Sequence, residues 1–275
     1  VSIGETAGSR EASVSLDEVV LTRIGRAMGE FSMLVPGERI GVGVSGGKDS
    51  LCMVHALTAY RRRAPFPYEL VALTLDQGKF TAPLDLLGDF FRSIGMRWIF
   101  REEPQTLRLV AEGVAHGCDV CSRHRRGALY RLAAEAGCSV LALGHTADDC
   151  AESLLRNILF NGRIASLPPV ASSRKGSMRV IRPLVYVNEE QTAQYVRNLG
   201  IDQIGCVCGI REGPRREIRE FLKSMREVHP GSGESLMAAL GNVAPYALFD
   251  SALRKEAADD PIFPSSDVTA LQTPE

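Results

Sequence analysis

Short apolar runs of strand length alternate with helix-period segments through most of the chain, and the first run ends in a loop with two adjacent glycines. Residues 40–44, 70–75, 96–100, 140–143 and 178–181 read as strands. Residues 51–60, 84–94, 105–116, 122–136, 147–160 and 189–199 carry helical spacing. This alternation predicts an α/β fold, a Rossmann-like parallel sheet of about five strands with helices on both faces. Ligands of such sheets bind at the carboxyl ends of the strands. Upstream, Ser15 and Glu18 form a capping-box pattern ahead of Val19, Val20, Ile24, Met28 and Phe31, which predicts an N-terminal helix ended by Pro36-Gly37. Residues 214–228 and 234–240 predict C-terminal helices, followed from about residue 254 by a polar, acidic tail.

Composition narrows the function. With 45% hydrophobic and 24% charged residues the chain reads as folded, not disordered. No apolar run approaches the roughly 18 residues of a membrane span. No basic-then-apolar leader opens the sequence, so the expectation is a cytoplasmic protein without membrane partners. The 7 cysteines, an odd number, point to thiols or metal ligands rather than a disulfide framework. A net charge of -1 offers no global attraction to nucleic acid, so any such contact falls to local arginine clusters. Three are visible: Arg61-Arg62-Arg63, Arg123/Arg125/Arg126 and Arg215/Arg216/Arg219.

The loop Ser45-Gly46-Gly47-Lys48-Asp49-Ser50 joins the first strand to a helix. Glycines allow a sharp turn and close approach of the backbone to a ligand. The helix start presents unpaired N–H groups and a positive dipole end. Ser45 and Ser50 add hydroxyls and Lys48 a charge, which together make a pyrophosphate cradle. The spacing is neither that of a Walker A loop nor G-x-G-x-x-G. The run S-G-G-x-D-S resembles the PP-loop pyrophosphatase family. Gly144-His145-Thr146-Ala147-Asp148-Asp149 is similar to the G-H-x-x-D-D element of the same family. The resemblance implies ATP cleavage between the α and β phosphates and adenylation of a substrate oxygen. It also places adenosine contacts near Asp76. Adjacent carboxylates Asp148 and Asp149 suit magnesium, or, read by themselves, capping of a helix.

Cys118-Asp119-Val120-Cys121 stands just before a predicted helix and continues as Ser122-Arg123-His124-Arg125-Arg126-Gly127-Ala128-Leu129-Tyr130. This stretch resembles the tRNA 2-thiocytidine synthetase family. The likeness extends through Asn157–Gly162, Pro168-Pro169, Ile181-Arg182-Pro183-Leu184, Cys208-Gly209 and Asn242–Pro245. It implies a 4Fe-4S cluster on Cys118, Cys121 and a third cysteine from a later P-C-x-x-C-G segment. Here that segment reads Gly205-Cys206-Val207-Cys208-Gly209, so Cys208 aligns as the third ligand, with Cys206 as the alternative or a neighbouring persulfide-capable thiol. Thiolates are the preferred ligands of such clusters. A zinc site completed by His116 or His124 is the competing use of the same thiols. Cys52, Cys138 and Cys150 read as small core residues.

The resemblance implies three segments: an N-terminal helical segment 1–35, a PP-loop ATP-binding domain 36–205 and a C-terminal helical segment 206–275. It further implies ATP-dependent thiolation of a cytidine in a tRNA anticodon loop. The roles of Lys48, Asp49, Asp148, Asp149, Cys206 and Cys208 would be catalytic, and Ser45, Gly46, Gly47, Ser50, Asp76, Gly144 and His145 would bind ATP. A cysteine desulfurase would supply sulfur, and the assembly would be a homodimer. A base attacked at its edge must be unstacked. Tyr130 and Phe160 could stack on it, but their helical spacing favours the core. Two rivals compete. A 2-thiouridine synthetase usually carries further C-x-x-C knuckles near both termini, whereas no cysteine here precedes Cys52 or follows Cys208. A non-catalytic, redox-sensing RNA-binding module is disfavoured by intact Lys48, Asp49, Asp148 and Asp149.

Overall fold

The Ser15 hydroxyl accepts from Glu18 N, and the Glu18 carboxylate accepts from Ser15 N at 3.1 Å, so the capping box read from sequence opens the first helix. A computed structural model describes residues 15–76, 80, 84–103, 118–172, 178–201, 203–204 and 214–256, with the backbone alone at 118–123, 246 and 254–256. The elements are α1 (Leu16–Glu30), β1 (Arg39–Val44), α2 (Lys48–Arg61), β2 (Glu69–Asp76), α3 (Asp85–Ser93), β3 (Arg97–Glu102), α4 (Cys118–Glu135) and β4 (Val140–Ala142). They continue with α5 (Ala147–Asn161), β5 (Val170–Ser172), β6 (Arg179–Ile181), α6 (Glu189–Asn198), α7 (Pro214–Val228), α8 (Ser232–Ala239) and α9 (Ser251–Glu256).

The sheet order is β3-β2-β1-β4-β6-β5. All pairings are parallel except β5 on β6, which is antiparallel. Among the described residues the sheet has six strands, where the sequence led to an expectation of about five. The added strand is a three-residue edge directly after Pro168-Pro169, too short to show a period of its own. On one face, Val71 and Leu73 of β2 and Leu141 of β4 pack against Leu132 and Ala133 of α4. On the other, α2 buries Leu51, Val54 and Leu57, and it packs against β1, α1 and α6. Each such leucine removed from water contributes about 2 kcal/mol before its ordering cost.

The chain divides into two compact units, Val1–Gly233 and Glu234–Glu275. This partition differs from the boundaries expected at residues 35 and 205. Helix α1 belongs to the first unit because its buried face, Val20, Ile24 and Ala27, packs where α2 and α6 also meet. The second unit holds the end of α8, a 3-10 turn at Pro245–Ala247 and α9. The helix expected at 105–116 lies outside the described residues. Among the described residues no helix is long and apolar enough to cross a membrane.

Candidate active site

The loop after β1 is shaped by its glycines. Gly46 has φ +78°, and a Cβ there would lie 3.0 Å from the carbonyl of Ile204, so only glycine fits. Ile204 N donates to Gly46 O at 3.0 Å, which ties the loop to the chain beyond α6. Gly47 is the N-cap of α2 and offers no side chain to the first-turn N–H groups. They are left as donors for an anion. The Ser50 hydroxyl donates to Gly47 O at 2.9 Å and accepts from Ser45 N at 3.2 Å, which holds both serines inside the turn.

Lys48 and Asp49 form an ion pair at 2.9 Å on this first turn. Burial pulls the Lys48 ammonium down, but Asp49 and Glu189 more than offset it, and its pKa stands above the usual value. Burial raises the Asp49 carboxyl by more than the Thr192 hydroxyl and Lys48 lower it. Thr192 Oγ1 donates to Asp49 Oδ1 at 2.5 Å, and Glu189 Oε2 sits 3.2 Å from Lys48 Nζ.

The second motif follows β4, the strand beside β1. Gly144 lets it approach α2: a Cβ there would stand 3.3 Å from the backbone of Asp49 and Ser50. Thr146 caps α5, and Asp149 answers as its capping-box partner, accepting from Thr146 N at 3.1 Å. The capping role read as one option is thus taken by Asp149. Its other oxygen pairs with Arg215 at 2.6 Å. Asp148, only 6% exposed, accepts from Glu189 N at 2.6 Å and pairs with Arg226. One turn on, Glu152 is 5% exposed and is held by Arg215 at 3.1 Å and Arg219 at 2.5 Å. Arg219 reaches Glu189 at 3.0 Å and closes a continuous network back to Lys48. All three arginines of the cluster Arg215/Arg216/Arg219 therefore serve carboxylates, Arg216 through Glu220 on its own helix.

Among the described residues no group of three or more His, Cys, Asp or Glu side chains is arranged as a metal cage. Magnesium needs no such cage, since it is commonly held by one or two carboxylates together with substrate phosphates. Asp148 and Asp149 fit that donor set, provided an incoming cation displaces Arg226 and Arg215, both partly exposed. For a cluster the relevant fact is the start of α4. The backbone is already helical at Cys118–Cys121, so C-x-x-C belongs to α4 and not to a loop ahead of it. That placement and the thiol donor set fit an iron–sulfur cluster. Cys206 and Cys208 lie outside the described residues. Cys52, Cys138 and Cys150 are buried and free, and burial pushes Cys52 up to about 12 and Cys150 to about 11.

Other expectations divide. Asp76 stands at the carboxyl end of β2, half-buried, on the side of the sheet edge where the loop lies. Tyr130 packs against the core as read, but Phe160 is 51% exposed because it projects from the last turn of α5. Arg61–Arg63 end α2 about 20 Å along its axis from the loop, remote from the site. Glu152, Glu189 and Thr192 escaped the sequence reading, because each acts through a partner distant in sequence.

A PP-loop domain model matches residues 17–204. The tRNA-cytidine(32) 2-sulfurtransferase of Anaeromyxobacter dehalogenans is 40% identical over 249 residues, covering 89% of this chain and 86% of that protein. The protein of the same name from Sorangium cellulosum is 40% identical over 237 residues, covering 84% and 83%. The solved structure of the U34-tRNA thiolase NcsA from Methanococcus maripaludis with its 4Fe-4S cluster superposes with a TM-score of 0.66 at 21% identity, over 90% of this chain and 89% of that one, and shows a shared fold. With a loop and strand order of this kind and relatives this close over most of their length, the chain belongs to the PP-loop family and, within it, to the tRNA-cytidine(32) 2-sulfurtransferases.

Proposed function

We propose that the protein is an ATP-dependent tRNA sulfurtransferase that converts an anticodon-loop cytidine, at position 32 as in its relatives' name, to 2-thiocytidine. The observation that carries this reading is the juxtaposition of the Ser45–Ser50 loop with Gly144–Asp149 at the ends of adjacent strands, in a chain 40% identical to such enzymes. ATP lies with its phosphates on Ser45, Gly46, Gly47, Ser50 and the first-turn N–H groups of α2. Adenosine extends toward Asp76. The C2 oxygen of the base attacks the α phosphorus, and the bond to the bridging oxygen breaks to release pyrophosphate. Lys48 and the loop N–H groups stabilise the charge that builds on the phosphates. Asp49, fixed by Thr192, orients Lys48. Asp148 and Asp149 would hold magnesium, and His145 lines the same edge. Sulfur at the hydrosulfide level then attacks C2, and AMP departs with the former C2 oxygen.

Cys118, Cys121 and Cys208 would hold a 4Fe-4S cluster, with Cys206 as the alternative third ligand or a persulfide carrier. When bound by three cysteines, such a cluster leaves one iron free to take a non-protein sulfur. A cysteine desulfurase supplies the sulfur, the chain works as a cytoplasmic homodimer, and its segments function as 1–35, 36–205 and 206–275. Mass spectrometry of tRNA nucleosides from a strain lacking the gene tests the reading. Loss of 2-thiocytidine is expected; an unchanged level would overturn it. Absorbance and metal analysis after anaerobic purification test the cluster: iron with a brown colour is expected, and stoichiometric zinc would replace it with the structural site.

A further inference from the structure

Just beyond the carboxyl ends of β4 and β6, two buried polar atoms stand without hydrogen-bond partners among the described residues, His145 Nδ1 and Arg182 Nε. They belong to neighbouring chain segments. Leu143 N donates to Ile181 O at 3.0 Å, which clamps the carboxyl ends of β4 and β6 together, so Gly144-His145 and Arg182 leave the sheet side by side. The Arg182 backbone N–H donates to Pro169 O at 2.9 Å and its Nη1 to Pro168 O at 2.5 Å. The second bond orients the guanidinium, yet its acceptor is neutral, and Arg182 forms no ion pair with a described residue. Arg126 and Arg215 also bear on His145, and Asp149 is the acid facing it. Asp149 is already paired with Arg215. Burial lowers Arg182 from its usual value and Arg126 adds to that effect, while Cys150, Tyr130 and Asp149 oppose it without pairing with it.

A half-buried guanidinium with no ion-paired carboxylate among the described residues is costly, as is a buried donor with no acceptor there. Among the described residues Lys48, Arg215, Arg219 and Arg226 each hold a carboxylate, whereas Arg182 is left with donors that suit an anion from outside. We propose that Arg182, with His145 beside it, forms a second phosphate-binding subsite, distinct from the pyrophosphate loop, that takes a backbone phosphate of the RNA substrate. Position argues for RNA over ATP. The loop follows β1, whereas Arg182 follows β6, two strand spacings or about 10 Å across the edge. A nucleotide whose base edge meets the α phosphorus near the loop has its own sugar–phosphate reaching away from it. The subsite lies where that backbone can be gripped, which would hold the unstacked base in line for attack. This rests on the tRNA reading above.

The test measures binding of an anticodon stem-loop RNA carrying C at position 32, and of ATP, to the full chain across a salt series. Arg182→Gln is expected to weaken RNA binding about tenfold and make the slope of log affinity against log salt shallower by about one, with ATP affinity within about twofold. Arg182→Lys should restore the slope, because it keeps the charge. A methylphosphonate next to C32, offered to the unmodified protein, should reproduce the same loss without any substitution. If Arg182→Gln instead weakens ATP and leaves the RNA slope alone, the anion is a nucleotide phosphate and the proposal fails. Unchanged slopes with both Arg182→Gln and the methylphosphonate also overturn it. If the unmodified protein does not bind the stem-loop at all, the tRNA reading falls together with this proposal.

Discussion

Around the loop and the start of α5, Lys48, Arg215 and Arg219 rest on Asp49, Asp149, Glu152 and Glu189 in one connected network. On the β6 side, His145 and Arg182 each keep a buried nitrogen without a partner among the described residues. The two regions meet at His145, which Asp149 and Arg215 both face, and they solve the charge problem in opposite ways. In the first, the loop N–H groups are open to an anion, but a cation can enter only by exchange: magnesium on Asp148 or Asp149 must take the place of an arginine. In the second, donors are already oriented, and binding an anion completes them. Preorganised donors stabilise charge without reorganisation at the moment of reaction. The contrast therefore separates a region that rearranges with nucleotide from one that is built to receive a ligand.

The largest break in this contrast comes from removing the cation nearest the proposed phosphates. Lys48→Ala should lower RNA-dependent pyrophosphate release by about a hundredfold or more while leaving the fold intact, measured with purified protein. Next is Glu152→Ala. It strips the shared acceptor from two arginines, both of which can rehydrate because they are partly exposed. A loss of about 2–3 kcal/mol in urea unfolding is expected, with Glu152→Gln milder. No loss would mean that the network is surface decoration.

The β6 side is sharpened by pH. Burial, joined by Arg182, Arg215 and Arg126, holds the His145 imidazole down to about 4 against the opposing pull of Asp149. The unfolded chain titrates near 6.5, so it binds the proton first as pH falls. Stability is then full above about pH 6.5 and declines toward pH 4, by about 3 kcal/mol. His145→Gln should flatten that decline, and inorganic phosphate should reduce it in the unmodified protein by filling the subsite. The smallest effect is Thr192→Val, which removes the hydroxyl that Asp49 accepts from and should cost about 1 kcal/mol in the same unfolding assay.

The contrast also explains what was legible in the sequence. The loop 45–50, the run 144–149 and the capping box at Ser15 are contiguous, and each encodes its geometry within a few residues. Parallel βαβ order was likewise written in the period of the apolar residues. Glu152, Glu189 and Thr192 carry no local mark, since their partners Arg219, Lys48 and Asp49 lie far away in the chain. Arg182 stood inside a recognised run, but nothing in the run says that its Nε would be buried without an acceptor. The β5 strand is too short to show alternation, and Phe160 keeps helical spacing while the helix end carries it into solvent.

The central claim is that this site adenylates a tRNA cytidine and replaces its C2 oxygen with sulfur. The most direct measurement incubates iron-loaded protein with ATP, sulfide and an anticodon-loop transcript, and follows pyrophosphate and 2-thiocytidine together. The account predicts equal amounts of both with C32 RNA and neither with the C32-to-U transcript. Pyrophosphate release that ignores the base at position 32, or thiolation without ATP, would contradict it.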